Sequence, residues 1–269
     1  MKDKIVRRDD LGDGDVICER QGNILKITVD RVKKRNAFTP KMHQELSDAF
    51  TALDSDPTLR AGVVTFAGNH STAGLDLVKF APYLSDIESL VDPEKIDPYG
   101  LVNICSKPIV MAVQGITYTS GIELMLAADI VIAAEDTSFA QLEPKRGLMA
   151  FGGATFRFVE RTGWGNAMYH LLTGEDFDAK TALRQGLVQE VVATGTQKDR
   201  AMAIAELICK NAPLAVQATK KNANIYILQG EDAAKGDFVG VLRELSVTKD
   251  LSEGVSAMLE MREPIFKGK

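Results

Sequence analysis

The chain has 269 residues, of which 45% are hydrophobic and 26% are charged, and these fractions are ordinary for a globular protein. Thirty-two Lys and Arg residues against thirty-seven Asp and Glu residues give a formal net charge of -5. This acidic balance offers no general attraction to nucleic acid or to an anionic membrane, and the sequence carries no basic–aromatic stripe. We therefore expect neither nucleic acid nor a membrane as a partner.

The cysteines and the N-terminal run limit the class of protein further. Cys18, Cys105 and Cys209 are scattered and form no CxxC pair, which disfavours a disulfide framework and a thiolate zinc site. The opening run MKDKIVRRDDLGDGD is charged and lacks the apolar segment of a secretory signal. No run approaches the roughly 18 apolar residues of a membrane span. We expect a soluble, cytoplasmic protein without a metal centre.

The first half of the chain predicts alternating strands and helices. Two β-rich runs flank Gln21-Gly22-Asn23 and predict a hairpin, at 16–19 and 24–29. Thr39 and Pro40 predict the start of a helix, which Asp54-Ser55-Asp56-Pro57 ends. Turn signals separate three predicted buried strands, at 62–66, 109–113 and 129–133. One short helix is predicted between the last two strands, at 119–128. Such alternation is typical of an α/β domain.

The second half is predicted to be mainly helical from about residue 152. Asp178 can cap a helix that ends at Gly186, and one more strand follows. The strand is predicted at 187–193 and the later helices at 197–212, 213–228, 236–247 and 251–263. This pattern divides the chain into an α/β core at 1–195 and a helical C-terminal portion at 196–269. The acidic stretch at 85–97 fits a mobile loop and a solvated helical connector equally well.

Most motifs that carry chemistry are missing from the sequence. It contains no GxGxxG, GxxxxGK[ST], HExxH or GxSxG motif. His43, His70 and His170 lack metal-ligand spacing. We predict that His43 lies on a helix surface and that His170 is structural. A nucleophilic Ser71 or Ser120 is disfavoured, because no histidine–carboxylate signature accompanies either serine.

Two junctions between a strand and a helix, together with two glutamates, remain as candidates. The junctions are at 71–77 and 115–121, each directly after a predicted buried strand. Free backbone N–H groups at such helix starts can hold negative charge that develops on an oxygen. Glu123 lies beside an apolar run, and a carboxylate there is expensive to bury unless it is used. From the residues alone, a first-turn glutamate that faces water is the more ordinary interpretation, and the role of Glu143 stays open.

The motifs that follow one another along the chain resemble a known family. The runs AGVVTFAGNHSTAGLDLVKF and KPIVMAVQGITYTSGIELMLAADIVIAAEDTSFAQLEPKRGL look like the enoyl-CoA hydratase/isomerase (crotonase) superfamily. The resemblance also takes in Lys34-Arg35-Asn36-Ala37, the LLTG-to-GLVQEVV stretch and the closing EGVSAMLEMREPIFKGK. It implies an α/β fold of the ClpP/crotonase type, a spiral of ββα units with a helical C-terminal trimerisation portion. It also implies a homotrimer, or a hexamer formed as a dimer of trimers.

The resemblance implies a site with two backbone donors and two carboxyl groups. The family's oxyanion-hole amides fall on Leu75 and Ser120, where they would polarise the thioester carbonyl of an acyl-CoA. The family's two glutamates fall on Glu123, which would orient a water molecule, and on Glu143, which would transfer the proton at the α-carbon. No cofactor is implied, because coenzyme A is part of the substrate.

Contacts with coenzyme A and the acyl chain are implied less directly. The backbone of Thr72, Ala73 and Gly74 would lie beside coenzyme A, and Met149 and Phe151 would shape the acyl pocket. Lys79, Arg262 and Lys267 could meet phosphates, although an ordinary surface charge is the commoner role for each of them.

The chain departs from the family pattern at several positions. Thr119-Ser120-Gly121 stands where many members have a glycine triplet, and the restricted φ of non-glycine residues could shift the second oxyanion amide. Ser71 replaces a common aromatic residue, and the turn at 148–153 lacks the proline that is usual there.

The function implied is hydration of a 2-enoyl-CoA to a 3-hydroxyacyl-CoA. Double-bond isomerisation and thioester hydrolysis on the same scaffold are alternatives. A non-catalytic acyl-CoA-binding protein is a third alternative, which the altered Thr119-Ser120 loop favours and the two retained glutamates oppose.

Overall fold

The computed structural model describes residues 12–269, so most of the charged N-terminal run considered above lies outside the described residues. Nine strands are described within this range. In chain order they are β1 (Asp15–Gln21), β2 (Ile24–Asp30), β3 (Ala61–Phe66), β4 (Ile109–Val113), β5 (Ile116–Tyr118), β6 (Ile130–Ala134), β7 (Ser138–Ala140), β8 (Phe177–Asp178) and β9 (Glu190–Val192). They form a six-stranded sheet of order β1-β2-β3-β4-β6-β9 and a three-stranded sheet of order β5-β7-β8.

Helices follow or separate these strands. In chain order they are α1 (Pro40–Ser55), α2 (Leu77–Phe80), α3 (Ser120–Ala127), α4 (Ala154–Thr162), α5 (Trp164–Thr173), α6 (Ala179–Arg184), α7 (Gln197–Cys209), α8 (Pro213–Gln229), α9 (Glu231–Ser246) and α10 (Lys249–Leu259). The predicted starts of α1 and α6 are confirmed. The side chain of Thr39 accepts a hydrogen bond from the Met42 N–H, and that of Asp178 accepts one from the Thr181 N–H.

The six-stranded sheet is covered on both faces. Its first pair, β1 and β2, is the predicted antiparallel hairpin, and all later pairings in this sheet are parallel. Every residue of β3 and of β4 is buried, as expected for parallel strands with helices on both sides. Ala201 and Ala205 of α7 pack against one face, so this helix belongs to the core. The predicted core boundary at residue 195 therefore excludes α7, although this helix packs on the core sheet.

The three-stranded sheet was not predicted, because strands of two or three residues are too short to show a period. The acidic stretch at 85–97 contains no α-helix, so of the two forms considered it is a loop rather than a helical connector. It holds one 3-10 turn, Ile87–Leu90, and ends at the buried carboxylate of Asp97. That carboxylate accepts hydrogen bonds from the backbone N–H groups of Tyr99 and Leu101. The stretch is thus tied to the fold by a local carboxylate cap.

The two histidines assigned from the sequence have different outcomes. His170 is buried in an aromatic cluster with Phe158 and Phe177, which confirms a structural role. The prediction of a surface position for His43 is only partly correct, because the residue lies on α1 but is half-buried. Its ring stacks on Tyr99 with the ring centroids 5.7 Å apart, and burial lowers the pKa of the imidazole. No helix within the described range is long and apolar enough to cross a bilayer.

Candidate active site

Two residues whose backbone N–H groups are unpaired within the described part of the chain line one cavity. Leu75 precedes α2, and Ser120 is the first residue of α3. Within residues 12–269 neither the Leu75 N–H nor the Ser120 N–H meets a hydrogen-bond acceptor. Both residues line a cavity of about 120 Å³. The structure therefore brings together the two N–H groups that the sequence assigned to an oxyanion hole.

The loops that carry these donors are bonded to each other. Thr72 donates its N–H to the Ile116 carbonyl, and its own carbonyl accepts from the Tyr118 N–H, each at 3.0 Å. A buried ion pair between Arg31 and Asp76, 2.9 Å long, holds the residue directly after Leu75. A charged pair with such good geometry is costly to break from one side. The spacing of the two donors is thus set by a rigid frame.

Glu123 projects from α3 into the same cavity and is only 3% exposed. Its Oε1 atom accepts hydrogen bonds from the N–H groups of Gly152 at 2.6 Å and Ala154 at 3.3 Å, at the start of α4. Burial raises the pKa of this carboxyl group to about 7 despite these bonds. The interpretation of Glu123 as a glutamate that faces water is therefore wrong.

Gly152 is the residue that permits this arrangement. A β-carbon on Gly152 would lie 2.7 Å from Oε2 of Glu123, closer than real contacts allow. Only a residue without a side chain lets the backbone N–H approach the carboxylate so closely. The glycine-containing turn at 148–153 therefore holds the Glu123 carboxylate in place through the N–H of Gly152.

Glu143 lies on another wall of the cavity, after β7, and is 8% exposed. Its carbonyl accepts from the N–H groups of Arg146 and Leu148, which fixes the backbone around it. Its Oε2 atom is buried and, within the described part of the chain, has no hydrogen-bond partner. Burial raises the pKa of this carboxyl group too. Two carboxyl groups with different surroundings thus face the cavity that holds the unpaired N–H groups.

Such a site can perform proton transfers beside a polarised carbonyl. A carboxyl group with a pKa of about 7 exists in both forms near neutral pH, so it can donate or accept a proton there. Two free N–H groups can stabilise an enolate oxygen. Across residues 12–269, no group of three or more His, Cys, Asp or Glu side chains is arranged to hold a metal ion.

The residues assigned to the acyl chain separate into two positions. Phe151 lines the 120 Å³ cavity together with the donors and the glutamates. Met149 is 64% exposed and does not line it. It lines a second cavity of about 180 Å³, which shares Glu143 and Leu148 with the first. Met149 therefore lies on the neighbouring cavity and not beside Leu75 and Ser120.

The loop at 72–74, assigned to coenzyme A, has few groups that are free to contact a ligand. Thr72 is fully buried, so its side chain does not reach the cavity. The N–H groups of Thr72, Ala73 and Gly74 already donate, respectively, to the Ile116 carbonyl, to the Arg35 carbonyl and to Oγ1 of Thr72. Ala73 is the member of this run that lines the cavity.

The basic residues considered for phosphates are largely occupied. Lys79 forms an ion pair with Asp13, and Arg262 forms ion pairs with Glu253 and Glu260. The sequence analysis missed Arg146, which lines the cavity. Its position three residues after Glu143 is the signal that could have identified it.

Arg157 also escaped the sequence analysis. Its guanidinium group donates to the carbonyls of Tyr99 at 2.6 Å and Gly100 at 3.0 Å. These bonds fasten the segment after Asp97 to α4, the helix whose first N–H groups hold Glu123. Arg157 is distant in sequence from everything it holds, so no local pattern identifies it.

Comparison with known proteins agrees with the geometry. Residues 19–269 match the model of the enoyl-CoA hydratase/isomerase family, and the chain belongs to this family. A crystal structure of a probable enoyl-CoA hydratase/isomerase from Mycobacterium abscessus superposes with a TM-score of 0.91 at 44% identity, over 94% of this chain and 98% of that one.

Two curated relatives show the range of reactions. An enoyl-CoA hydratase of Mycobacterium tuberculosis is 31% identical over 95% of this chain and 97% of its own length. The carnitinyl-CoA dehydratase of Escherichia coli strain K12 is 33% identical over 93% of this chain and 97% of its own. The predicted family and the predicted crotonase-like α/β fold are confirmed.

Proposed function

We propose that the protein is an enoyl-CoA hydratase that adds water across the 2,3 double bond of a 2-enoyl-CoA. The observation that carries this proposal is the convergence of two unpaired N–H groups and two buried carboxyl groups on one cavity. Hydration needs those four groups and no redox step. Family membership and a relative named as an enoyl-CoA hydratase support the proposal.

In the proposed reaction the thioester oxygen accepts hydrogen bonds from the N–H groups of Leu75 and Ser120. Ionised Glu123 orients a water molecule and takes its proton as the water oxygen bonds to C3. The π electrons move onto the thioester as an enolate, which the two N–H groups stabilise. Protonated Glu143 then gives its proton to C2, and the product is a 3-hydroxyacyl-CoA. Exchange with solvent restores both carboxyl groups.

The dehydratase relative favours the same reaction in reverse as a second candidate. Elimination of water from a 3-hydroxyacyl-CoA uses the same groups, since each step is reversible. Isomerisation would move a proton between two carbons without water, and hydrolysis would release the coenzyme A thiol. Product analysis therefore distinguishes all of these reactions.

The test follows crotonyl-CoA, a longer 2-enoyl-CoA and a branched one by ultraviolet absorbance and mass spectrometry. The wild type should add one water, and Glu143→Gln should lose this activity by at least about 10²-fold, the scale of a general acid's contribution. Glu160→Gln is the matched control, because Glu160 is exposed on α4 and should leave the rate unchanged. Release of free thiol, or α-proton exchange without added water, would replace hydration by hydrolysis or isomerisation.

We also propose that the chain assembles as a homotrimer or as a hexamer formed by two trimers. The C-terminal helices and the tail after them expose large apolar side chains, among them Leu228, Leu242, Val247, Met258, Met261 and Ile265. Many exposed large apolar side chains within one C-terminal portion favour a contact with another chain. Light scattering should give three or six times the 29.3 kDa of one chain. A mass equal to one chain would refute the assembly.

A further inference from the structure

Thr119 has a backbone conformation that is rare for its residue type. Its φ is +51°, and a positive φ in a β-branched residue is a genuine outlier. The surrounding bonds impose it. The Thr119 N–H donates to the Ala140 carbonyl in β7, and the Thr119 carbonyl accepts from the N–H groups of Ile122 and Glu123 in α3. Strain of this kind persists only where the structure enforces it, and it is concentrated at functional sites.

The strained backbone directs the Thr119 side chain to a specific place. A β-carbon on Gly74 would overlap Oγ1 of Thr119, so this hydroxyl lies directly against the residue that precedes Leu75. Along its own chain the hydroxyl belongs to the residue that precedes Ser120. The hydroxyl is therefore close to both residues with unpaired N–H groups: to Leu75 through its contact with Gly74, and to Ser120 because Thr119 is the preceding residue.

Thr119 and Ser120 both line the cavity, but of their two hydroxyl groups that of Ser120 is buried. Thr119 lines the 120 Å³ cavity, and no described residue hydrogen-bonds to its hydroxyl. The hydroxyl of Ser120 is buried and lies beside the side chain of Tyr99, so it is less accessible to a ligand. Of the two hydroxyl groups at this junction, Thr119 has the one that a bound molecule can reach.

We propose that the Thr119 hydroxyl is a third hydrogen-bond donor to the thioester oxygen, beside the N–H groups of Leu75 and Ser120. This inference rests on the proposed binding of an acyl-CoA thioester. A hydroxyl group can donate without any change in protonation, so its contribution is present throughout the working pH range. Each donor aimed at a developing oxyanion contributes to the rate because it is already oriented before the reaction.

The side chain also fills space beside Gly74, and the experiment must separate the two roles. Thr119→Val keeps the shape and the β-branch and removes only the hydroxyl. Thr119→Ser keeps the hydroxyl and is the conservative rescue. Thr119→Gly removes the hydroxyl and relieves the positive φ, so it stays folded if the valine variant does not. Circular dichroism of each variant checks the fold.

The readout is the infrared carbonyl stretch of bound butanoyl-CoA labelled with ¹³C at the thioester carbon. This saturated thioester cannot be hydrated, so the measurement does not depend on the proposed reaction. The wild type and Thr119→Ser should show a lower stretching frequency than Thr119→Val and Thr119→Gly, because each added hydrogen bond weakens the C=O bond. With crotonyl-CoA, kcat for Thr119→Val should fall by about 10- to 100-fold with little change in KM, at or below the range measured for single oxyanion donors.

The outcomes distinguish the two proposals. An equal stretching frequency in the wild type and Thr119→Val would overturn the third donor, whatever the rates are. A lower frequency in the wild type, combined with no water addition to any enoyl-CoA, would uphold the donor and overturn the hydratase. Failure of the wild type to bind butanoyl-CoA would overturn the donor, because the hydroxyl would then have no thioester oxygen to meet.

Discussion

Replacement of Glu123 by glutamine should stabilise the protein much more at pH 8 than at pH 5. The folded protein holds this carboxyl group at a pKa of about 7, against 4.5 for the ordinary group. The folded state therefore binds the proton more tightly than the unfolded state, and stability falls as the pH rises through this interval. The cause is the burial of a charge, which a neutral amide of the same shape avoids.

The magnitude follows from the shift itself. A difference of about 2.5 units corresponds to about 3 kcal/mol of destabilisation at pH 8, where the folded group is ionised, and to about 1 kcal/mol at pH 5. Glutamine can still accept the hydrogen bonds from Gly152 and Ala154 through its carbonyl oxygen. The wild type should therefore lose about 2 kcal/mol more stability than Glu123→Gln between pH 5 and pH 8.

Urea unfolding of both proteins at the two pH values, at one fixed protein concentration, measures this difference. Comparison of the two changes removes the contribution of every other group that titrates alike in both proteins. Equal pH dependence in the wild type and the variant would refute the reasoning, because Glu123 would then not be buried with a raised pKa. The variant should also lose activity, which is the usual cost of stabilising an active site.

Three further predictions follow from the same contacts. Gly152→Ala should lower kcat for hydration by about 10²-fold with little change in KM, because its β-carbon would displace the Glu123 carboxylate. Gly165→Ala is the control, since its β-carbon would meet nothing within 4 Å. Equal rates in the two variants would contradict the prediction. Thr119→Gly should leave the free energy of unfolding unchanged or raise it by up to about 2 kcal/mol in urea titrations. The reason is that relief of the positive φ offsets the larger conformational entropy that glycine loses on folding. A loss of more than about 1 kcal/mol would show that Thr119 is not strained. Finally, kcat/KM should fall as the pH drops below about 7, because protonated Glu123 cannot take a proton from water. A flat pH–rate profile from pH 5 to 8 would exclude Glu123 as the base. The apparent pKa of the profile belongs to the pair of carboxyl groups, Glu123 and Glu143.

The local elements could be predicted from the sequence because their signals act over a few residues. Thr39 with Pro40 and Asp178 mark helix starts by hydrogen bonds to N–H groups three residues later. Runs of apolar residues mark β3 and β4, which are buried on both faces. The ordered motifs also identified the family and located the four groups now seen around the cavity. The sequence therefore located these four groups but not Arg146, which also lines the cavity.

Only the tertiary structure decided what those residues can do. Burial among segments distant along the chain raises the pKa of Glu123, while the N–H of Gly152, 29 residues away, holds the carboxylate in place and lowers that pKa in part. Thr119 lines the cavity with a positive φ, which its backbone bonds to β7 and α3 impose. Burial and strain are properties of contacts between segments that are distant along the chain, and a local pattern carries no information about them. The sequence therefore determined the elements and the chemical groups, whereas the packing of separate segments decided their charge, orientation and access to a ligand.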